Sequence, residues 1–322
     1  MSDEIDYLLF ASNNNKDLTI DYSDMPIKES FIKDKNIIPS DDEKEIKTYR
    51  YIPPVLNIEE ERKAKIILLI GQTGNGKTTL INFLINILLG VKFEDNYRFK
   101  IAVEKKRLNE SISNTLGVHP YNINIKGYPY PIKVIDCQGI GDTRGTYEDE
   151  QLISQLKELF NSIYYINCIC FVVKESDIRL VSVQQYIYKL ILDLFAKNVK
   201  KNFVLMITNS HFEENPQVIK TLNLEDSFFS SVIPHLEEPY YFQFENGSLY
   251  LNRKNKMDKM FFEESMENMN KFLIDKLIKL EPVPTHDCVE VCKERLLQKI
   301  IFQKIIKKRK LLIDKKKYLE KN

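Results

Sequence analysis

The apolar run Ile66-Ile67-Leu68-Leu69-Ile70 stops at Gly71, and an apolar helical pattern starts at Lys77. Between the two stand Gly71, Gln72, Thr73, Gly74, Asn75, Gly76, Lys77, Thr78 and Thr79, in the spacing G-x-x-x-x-G-K-[ST] of a phosphate-binding loop. Glycines let the backbone turn tightly enough for successive N–H groups to point inward at phosphate oxygens. The helix adds the positive end of its dipole, Lys77 brings a mobile charge to the β- and γ-phosphates, and Thr78 offers a hydroxyl to Mg²⁺. A strand before the loop and a helix after it are the context this motif requires. A nucleoside triphosphate is the expected ligand.

With 322 residues, 43% of them hydrophobic, the chain can bury a substantial core. The net charge of +1 argues against bulk binding to nucleic acid, so no specific nucleic-acid partner is expected. The two ends differ, however. Residues 1–50 hold twelve Asp/Glu against seven Lys/Arg, a net of −5, whereas residues 287–322 hold twelve Lys/Arg against five Asp/Glu, a net of +7. Five cysteines without a regular spacing are expected to be reduced. His286, Cys288 and Cys292 could approach one another on a helix but lack a fourth metal ligand. The acidic start Met1-Ser2-Asp3-Glu4 does not have the order of a signal peptide, and the apolar stretch from Leu80 to Phe93 is too short for a membrane span. A cytoplasmic protein is expected, with peripheral membrane contact through the basic end as one reading of it.

From Lys65 onward, short apolar runs alternate with amphipathic stretches, the signature of a mainly parallel sheet flanked by helices. Strands are expected at 66–70, 132–136, 168–173, 203–207 and 240–244. Helices are expected at 77–89, 148–160, 183–195, 216–222 and 257–280. Residues 94–131 contain no clear helix and fall where a nucleotide-sensing loop would lie. Residues 1–63 lack a sustained period and are expected to be an acidic, irregular lead-in.

Ile132-Lys133-Val134-Ile135-Asp136-Cys137-Gln138-Gly139 is a buried strand pattern ending in an acid, with a glycine three positions later. About sixty residues after a phosphate loop, an acid in this place supports the metal opposite Thr78, and the N–H of Gly139 can sense the γ-phosphate. Helix capping is the alternative role for Asp136.

With Leu80-Ile81-Asn82 after the loop and Gly139-Ile140-Gly141-Asp142-Thr143-Arg144-Gly145 after the acid, the chain resembles the AIG-type immunity-associated GTPases and their septin-related relatives. Cys170–Val173, Arg179-Leu180, Gln184-Gln185-Tyr186 and the segment Phe244-Glu245-Asn246-Gly247-Ser248-Leu249-Tyr250 extend the resemblance across about residues 64–280. It implies an α/β P-loop NTPase G domain that binds GTP or GDP with Mg²⁺, hydrolyses GTP, and forms a homodimer through its nucleotide face. It further implies that Asn246 lies in the loop contacting the base and that Thr115 lies in the switch region. There the Thr115 hydroxyl would complete the Mg²⁺ shell, with Ser111 and Ser113 as competitors.

Two departures qualify these implications. The guanine-reading acid of such GTPases corresponds to the segment Thr208-Asn209-Ser210-His211, and a neutral imidazole at His211 cannot accept both guanine hydrogen bonds. Glu213 or Glu214 could substitute if the loop folds back. Ile140 stands where many small GTPases carry a glutamine, so unassisted hydrolysis is expected to be slow unless Arg144, Arg179 or a facing subunit assists.

Beyond Pro282 and Pro284, apolar residues from Leu296 to Ile313 have a spacing suited to one helical face, between Lys299, Lys304, Lys307-Lys308-Arg309-Lys310 and Lys315-Lys316-Lys317. This basic helix could dock on the domain, pair with a protein helix, or lie on an anionic membrane surface. The expected organisation is a lead-in at 1–63, a P-loop G domain at 64–281 and a basic amphipathic helical extension at 282–322. The expected function is a slow, Mg²⁺-dependent GTPase working as a switch or assembly protein, with Lys77 and Gly139 as its catalytic groups. A nucleotide-binding scaffold without hydrolysis, or an ATP-binding protein, is the alternative.

Overall fold

The computed structural model describes residues 47–319 apart from 52, 73, 96, 102–117, 126–127, 138–153, 155, 178–188, 190–191, 194, 196, 223–238 and 251–254. Its centre is β2 (Lys65–Ile70), five of whose six residues are buried. Alternate side chains of β2 supply two cores. Ile66, Leu68 and Ile70 point into one, and Ile67 and Leu69 into the other. A strand with no wet face is the position that a β-branched and leucine run without polar alternation demands.

Around β2 the main sheet adds β4 (Val118–Ile123), β5 (Ile132–Cys137), β7 (Cys168–Lys174), β8 (Phe203–Thr208) and β9 (Tyr241–Phe244), while the short β6 (Tyr165–Ile166) pairs outside it with Val283–Pro284. The spatial order is β4-β5-β2-β7-β8-β9. All neighbours are parallel except β4, which runs antiparallel to β5 at the sheet edge. The main-sheet strands that follow β2 in the chain lie on both sides of it, β4 and β5 on one and β7, β8 and β9 on the other, opening a crevice at its carboxyl end, where α/β sheets bind ligands. The helix α2 (Lys77–Leu88) starts in that crevice and covers one face of the sheet. The same face takes α4 (Lys256–Lys271), and the opposite one takes α3 (Gln217–Leu222) and the first turns of α5 (His286–Leu319).

Four expectations change here. Residues 94–131 are not one long loop, since β3 (Tyr97–Lys100) and β4 lie within them. A proline at 120 hid the second strand, but an edge strand needs no donor on its outer side. Within the lead-in, β1 (Lys47–Arg50) pairs in parallel with β3, and α1 (Ile58–Lys63) begins with an Asn57/Glu60 capping box. The helix expected over 257–280 is α-helical only to Lys271, then passes through a π-turn at Phe272–Lys276 and a 3₁₀ turn at Leu277–Lys279. Finally, the tail splits: Cys288, Val289 and Cys292 are buried in the domain core, while nine large apolar residues from Leu297 to Ile313 are exposed. At 3.6 residues per turn, Leu297, Ile301, Ile305 and Leu312 share one side, and Phe302, Ile306 and Ile313 fall about 100° further round the helix. The apolar residues thus do not form a single stripe.

Cys137, Cys168, Cys170, Cys288 and Cys292 are all free and buried. Burial raises the Cys292 thiol to about 12, with Cys288 adding to the effect. His286 is exposed, away from these two thiols' buried side. Among the described residues no helix is long and apolar enough to cross a membrane.

One buried charge joins three elements beside the crevice. Arg98 in β3 is fully buried and donates to the carbonyls of Leu249 (2.8 Å), Asp95 (2.9 Å), Tyr97 (2.8 Å) and Phe93 (3.0 Å). Its guanidinium also sits over the Phe262 ring, 5.2 Å from the centroid. Removing it leaves several carbonyls buried without these donors, at about 1–3 kcal/mol each. Arg98→Ala is therefore expected to lower stability by about 3 kcal/mol or more, read as the shift in a urea unfolding midpoint; a loss under about 0.5 kcal/mol, typical of surface positions, would contradict the role.

Candidate nucleotide site

The turn between β2 and α2 is held by contacts only its residue types can make. A Cβ on Gly71 would lie 2.4 Å from the Val172 carbonyl oxygen of β7, so any larger residue would wedge the two central strands apart. Gly76 caps α2 at φ +81°, and a Cβ there would lie 2.9 Å from the Asn246 amide nitrogen. The left-handed backbone and the crowding both select glycine.

Lys77, the first residue of α2, is almost fully buried, with Nζ donating to the carbonyls of Gly71 (2.6 Å) and Gln72 (2.9 Å). The ammonium is thus folded back over its own loop. Asn75 Nδ2 donates to Val172 O (2.9 Å), Thr208 Oγ1 donates to Asn75 O (2.8 Å), and Asn246 Nδ2 donates to Gly76 O (3.1 Å). The loop is consequently pinned by β7, by the end of β8, and by the 3₁₀ turn Asn246–Tyr250 after β9. Asn246 Oδ1 and Ser248 Oγ are buried there and find no hydrogen-bond partner among the described residues. These are polar groups that a ligand at the loop could satisfy.

Asp136 is fully buried, in register with Leu69 on one side and His119 on the other. The neighbouring Cys137 thiol is raised by burial first and by the Asp136 charge second, while Lys77 opposes both. Acid, lysine and loop therefore share one end of the sheet. The side chains there that could hold a cation, Asp136 and Thr78, offer hard oxygens. They suit Mg²⁺, which commonly takes one or two protein oxygens and fills its shell from phosphates and water. Among the described residues no cluster of three or more His, Cys, Asp or Glu could hold a metal unaided. Gln72, Gly74, Thr78 and Thr79 belong to the same loop and first helical turn, and the latter two are half-buried. Thr73, Thr115 and Gly139 lie outside the described residues, as do Ser111, Ser113, Ile140, Arg144 and Arg179.

The segment after β8 departs from the expected base site in a specific way. Asn209 is exposed at φ +52°, a left-handed conformation that asparagine tolerates. His211 is exposed, and its backbone N and ring Nδ1 both meet Glu175 Oε2 at 2.8 Å. Ser210 Oγ also reaches Glu175, at 3.1 Å. The imidazole is thus engaged by the acid at the end of β7. Glu213 and Glu214 are exposed, their carbonyls accepting from Gln243 and Tyr241 of β9. A further acid, Glu245, stands next to Asn246. Burial raises its carboxyl above the ordinary glutamate value, and the Gly247 N–H, which donates to its Oε1, opposes that. Glu175 escaped the sequence reading and Glu245 entered it only as part of the segment around Asn246, although each directly follows a buried strand.

The Glu175 hydrogen bond raises the His211 pKa above the ordinary 6.5. A raised folded-state value means that the pair's contribution is complete below pH 6.5 and is lost as pH rises through the folded pKa. His211 is therefore expected to titrate above 6.5 by NMR and to move back toward it in Glu175→Gln; an unmoved midpoint would show that Glu175 is not the partner.

Residues 66–209 match the family model described as the 50S ribosome-binding GTPase. No curated protein matches the chain's sequence. Among solved structures it is similar to Toc33 from Arabidopsis thaliana in complex with Mg²⁺ and GMPPNP, at 16% identity over 68% of this chain and 87% of that one, TM-score 0.46. It is also similar to a form of Era from Aquifex aeolicus bound to GDP.AlF4-, at 16% identity over 68% of this chain and 57% of that one, TM-score 0.38. With its mainly parallel sheet, its glycine loop between β2 and α2 and the match over residues 66–209, the chain has the fold of a P-loop GTPase G domain.

Proposed function

We propose that this G domain binds GTP with Mg²⁺, hydrolyses it slowly and uses the γ-phosphate to order switch segments around Thr115 and Gly139. The observation that carries this reading is Lys77, the first residue of α2, with its ammonium on two loop carbonyls. A triphosphate offers that charge stronger, ionised acceptors in the same place. Loop N–H groups and the start of α2 take the phosphates, Thr78 ligates the cation, and Asp136 supports it, directly or through water. Mg²⁺, when bound, neutralises charge developing between the β- and γ-phosphates. Ile140 cannot orient a water molecule, which is why slow turnover belongs to the proposal.

For the base, we assign the accepting acid to Glu245 rather than His211, which Glu175 already engages. Glu245 adjoins Asn246, and Asn246 bonds the loop at Gly76. Placement in the AIG-type and septin-related branch is likewise a proposal, resting on the motifs around Gly139 and Asn246. Pairing of two copies across the nucleotide face comes with that branch.

Calorimetric titration of nucleotide-free protein with Mg·GTP and Mg·ATP tests the reading, with light scattering to follow pairing. GTP is expected to bind more tightly. Lys77→Ala is expected to weaken it about 100-fold or more, since each charge-assisted contact is worth about 1.5–3 kcal/mol. Glu245→Gln should lower the GTP:ATP ratio about tenfold, the worth of roughly one such hydrogen bond. Unchanged affinity in Lys77→Ala overturns the loop assignment; preference for ATP moves the protein to the ATP-binding reading.

For the exposed part of α5 we propose contact with an anionic membrane surface. Residues 297–313 combine nine exposed apolar side chains with six Lys/Arg and no Asp/Glu. Charges of a single sign disfavour parallel pairing with a second copy and favour anionic headgroups. Full-length protein should co-sediment with phosphatidylserine-containing vesicles and a chain ending at residue 296 should not; equal sedimentation rejects the idea.

A further inference from the structure

We infer that His119 is a positioning residue for Asp136, holding that carboxylate in the orientation in which it supports the cation; this rests on the nucleotide-binding reading above. The β4–β5 pairing puts His119 directly opposite Asp136, Tyr121 opposite Val134 and Ile123 opposite Ile132. Residues directly opposite in an antiparallel pair project to the same face, with Cβ atoms roughly 4.5–5.5 Å apart. The face is identified by its companions: Ile123, Ile132 and Val134 belong to the core beneath α2, and Tyr121 packs against it. His119 and Asp136 therefore stand on the side where α2 begins with Lys77 and Thr78.

Their environments suit the pairing. Asp136 has no exposed surface, and His119 is half-buried with its Nε2 enclosed. Pro120, next in the strand, restricts the backbone that carries the ring. A carboxylate in this position has two oxygens, and turning it about its side-chain torsion redirects the one aimed at the cation. A hydrogen bond from a ring nitrogen of His119 to that carboxylate is what the inference requires, and it would remove that freedom. Groups that orient a metal-supporting side chain in this way typically alter metal affinity about 10–100-fold. Asp136 lies within the expected motif, but its strand-crossing neighbour comes from 17 positions upstream in a segment that reads as a loop.

The test compares GTP affinity in Mg²⁺ and in EDTA for the wild type, His119→Gln and His119→Leu, with thermal unfolding to confirm that each is folded. His119→Leu keeps much of the ring's bulk without a nitrogen, and His119→Gln keeps a side-chain donor. The ratio of Mg²⁺ to EDTA affinity is expected to fall about 10–100-fold in His119→Leu and to recover most of that loss in His119→Gln, with EDTA affinity unchanged. A wild-type ratio in His119→Leu overturns the inference. So does an equal loss with and without Mg²⁺, which would mark packing or a direct phosphate contact, and so does a glutamine variant no better than the leucine one. If the wild type itself binds no nucleotide, the proposed function fails, and this inference fails with it.

Discussion

Everything at the nucleotide end of the molecule depends on how closely β2 and β7 approach at Gly71. The Val172 carbonyl occupies the space a side chain would need, so β2 can stay in the middle of the sheet only if the residue that follows it has none. From there the chain must leave upward and turn, because both faces and both edges of β2 are covered. The same carbonyl then accepts the Asn75 amide, so one backbone oxygen of β7 both limits the strand and anchors the loop. Lys77 follows as the first residue of a helix whose direction the turn has set.

A second layer of polar contacts keeps α2 in register with segments far away in sequence. Asn86 bonds both the N–H and the carbonyl of Phe99 in β3, and Asn82 accepts from Ile101. Arg98 in the same strand reaches the carbonyl of Leu249, inside the turn that begins with Asn246. Asn246 returns to Gly76 at the start of α2. The loop that holds phosphate, the strand preceding residues 102–117 and the turn assigned to the base are thus one hydrogen-bonded assembly. Asparagines inside an apolar helix are poor helix formers, and their presence in α2 is explained by these buried backbone partners.

The parts that were legible beforehand are those where residue type alone limits the conformation. A glycine-spaced loop between an apolar strand and an apolar helix has few other uses, and the five parallel strands appear within a residue or two of their expected ends. The parts that were not legible depend on partners distant in sequence. Strand β4 contains a proline and a histidine and reads as loop until β5 lies beside it. The strand at Lys47–Arg50 exists because β3 offers an edge to pair with. At the base site, His211 read as a residue missing its acid, whereas Glu175, 36 positions earlier, reaches across from β7 to its ring.

What the sequence determined by itself was therefore local: where the phosphate loop lies, which runs are buried on both faces, and that an acid stands near the end of β5. Those, with Asp136 one residue before the end of β5, follow from glycine sterics, the apolar period and charge, all set within a dozen neighbouring residues. Only the tertiary structure decided what surrounds the loop: His119 opposite Asp136, Glu175 beside His211, Arg98 beneath the 246–250 turn, and a tail that is buried to Cys292 and exposed beyond Leu297. Each of those depends on strand register or on the packing of a helix against a distant sheet, and short-range pattern carries no information about either.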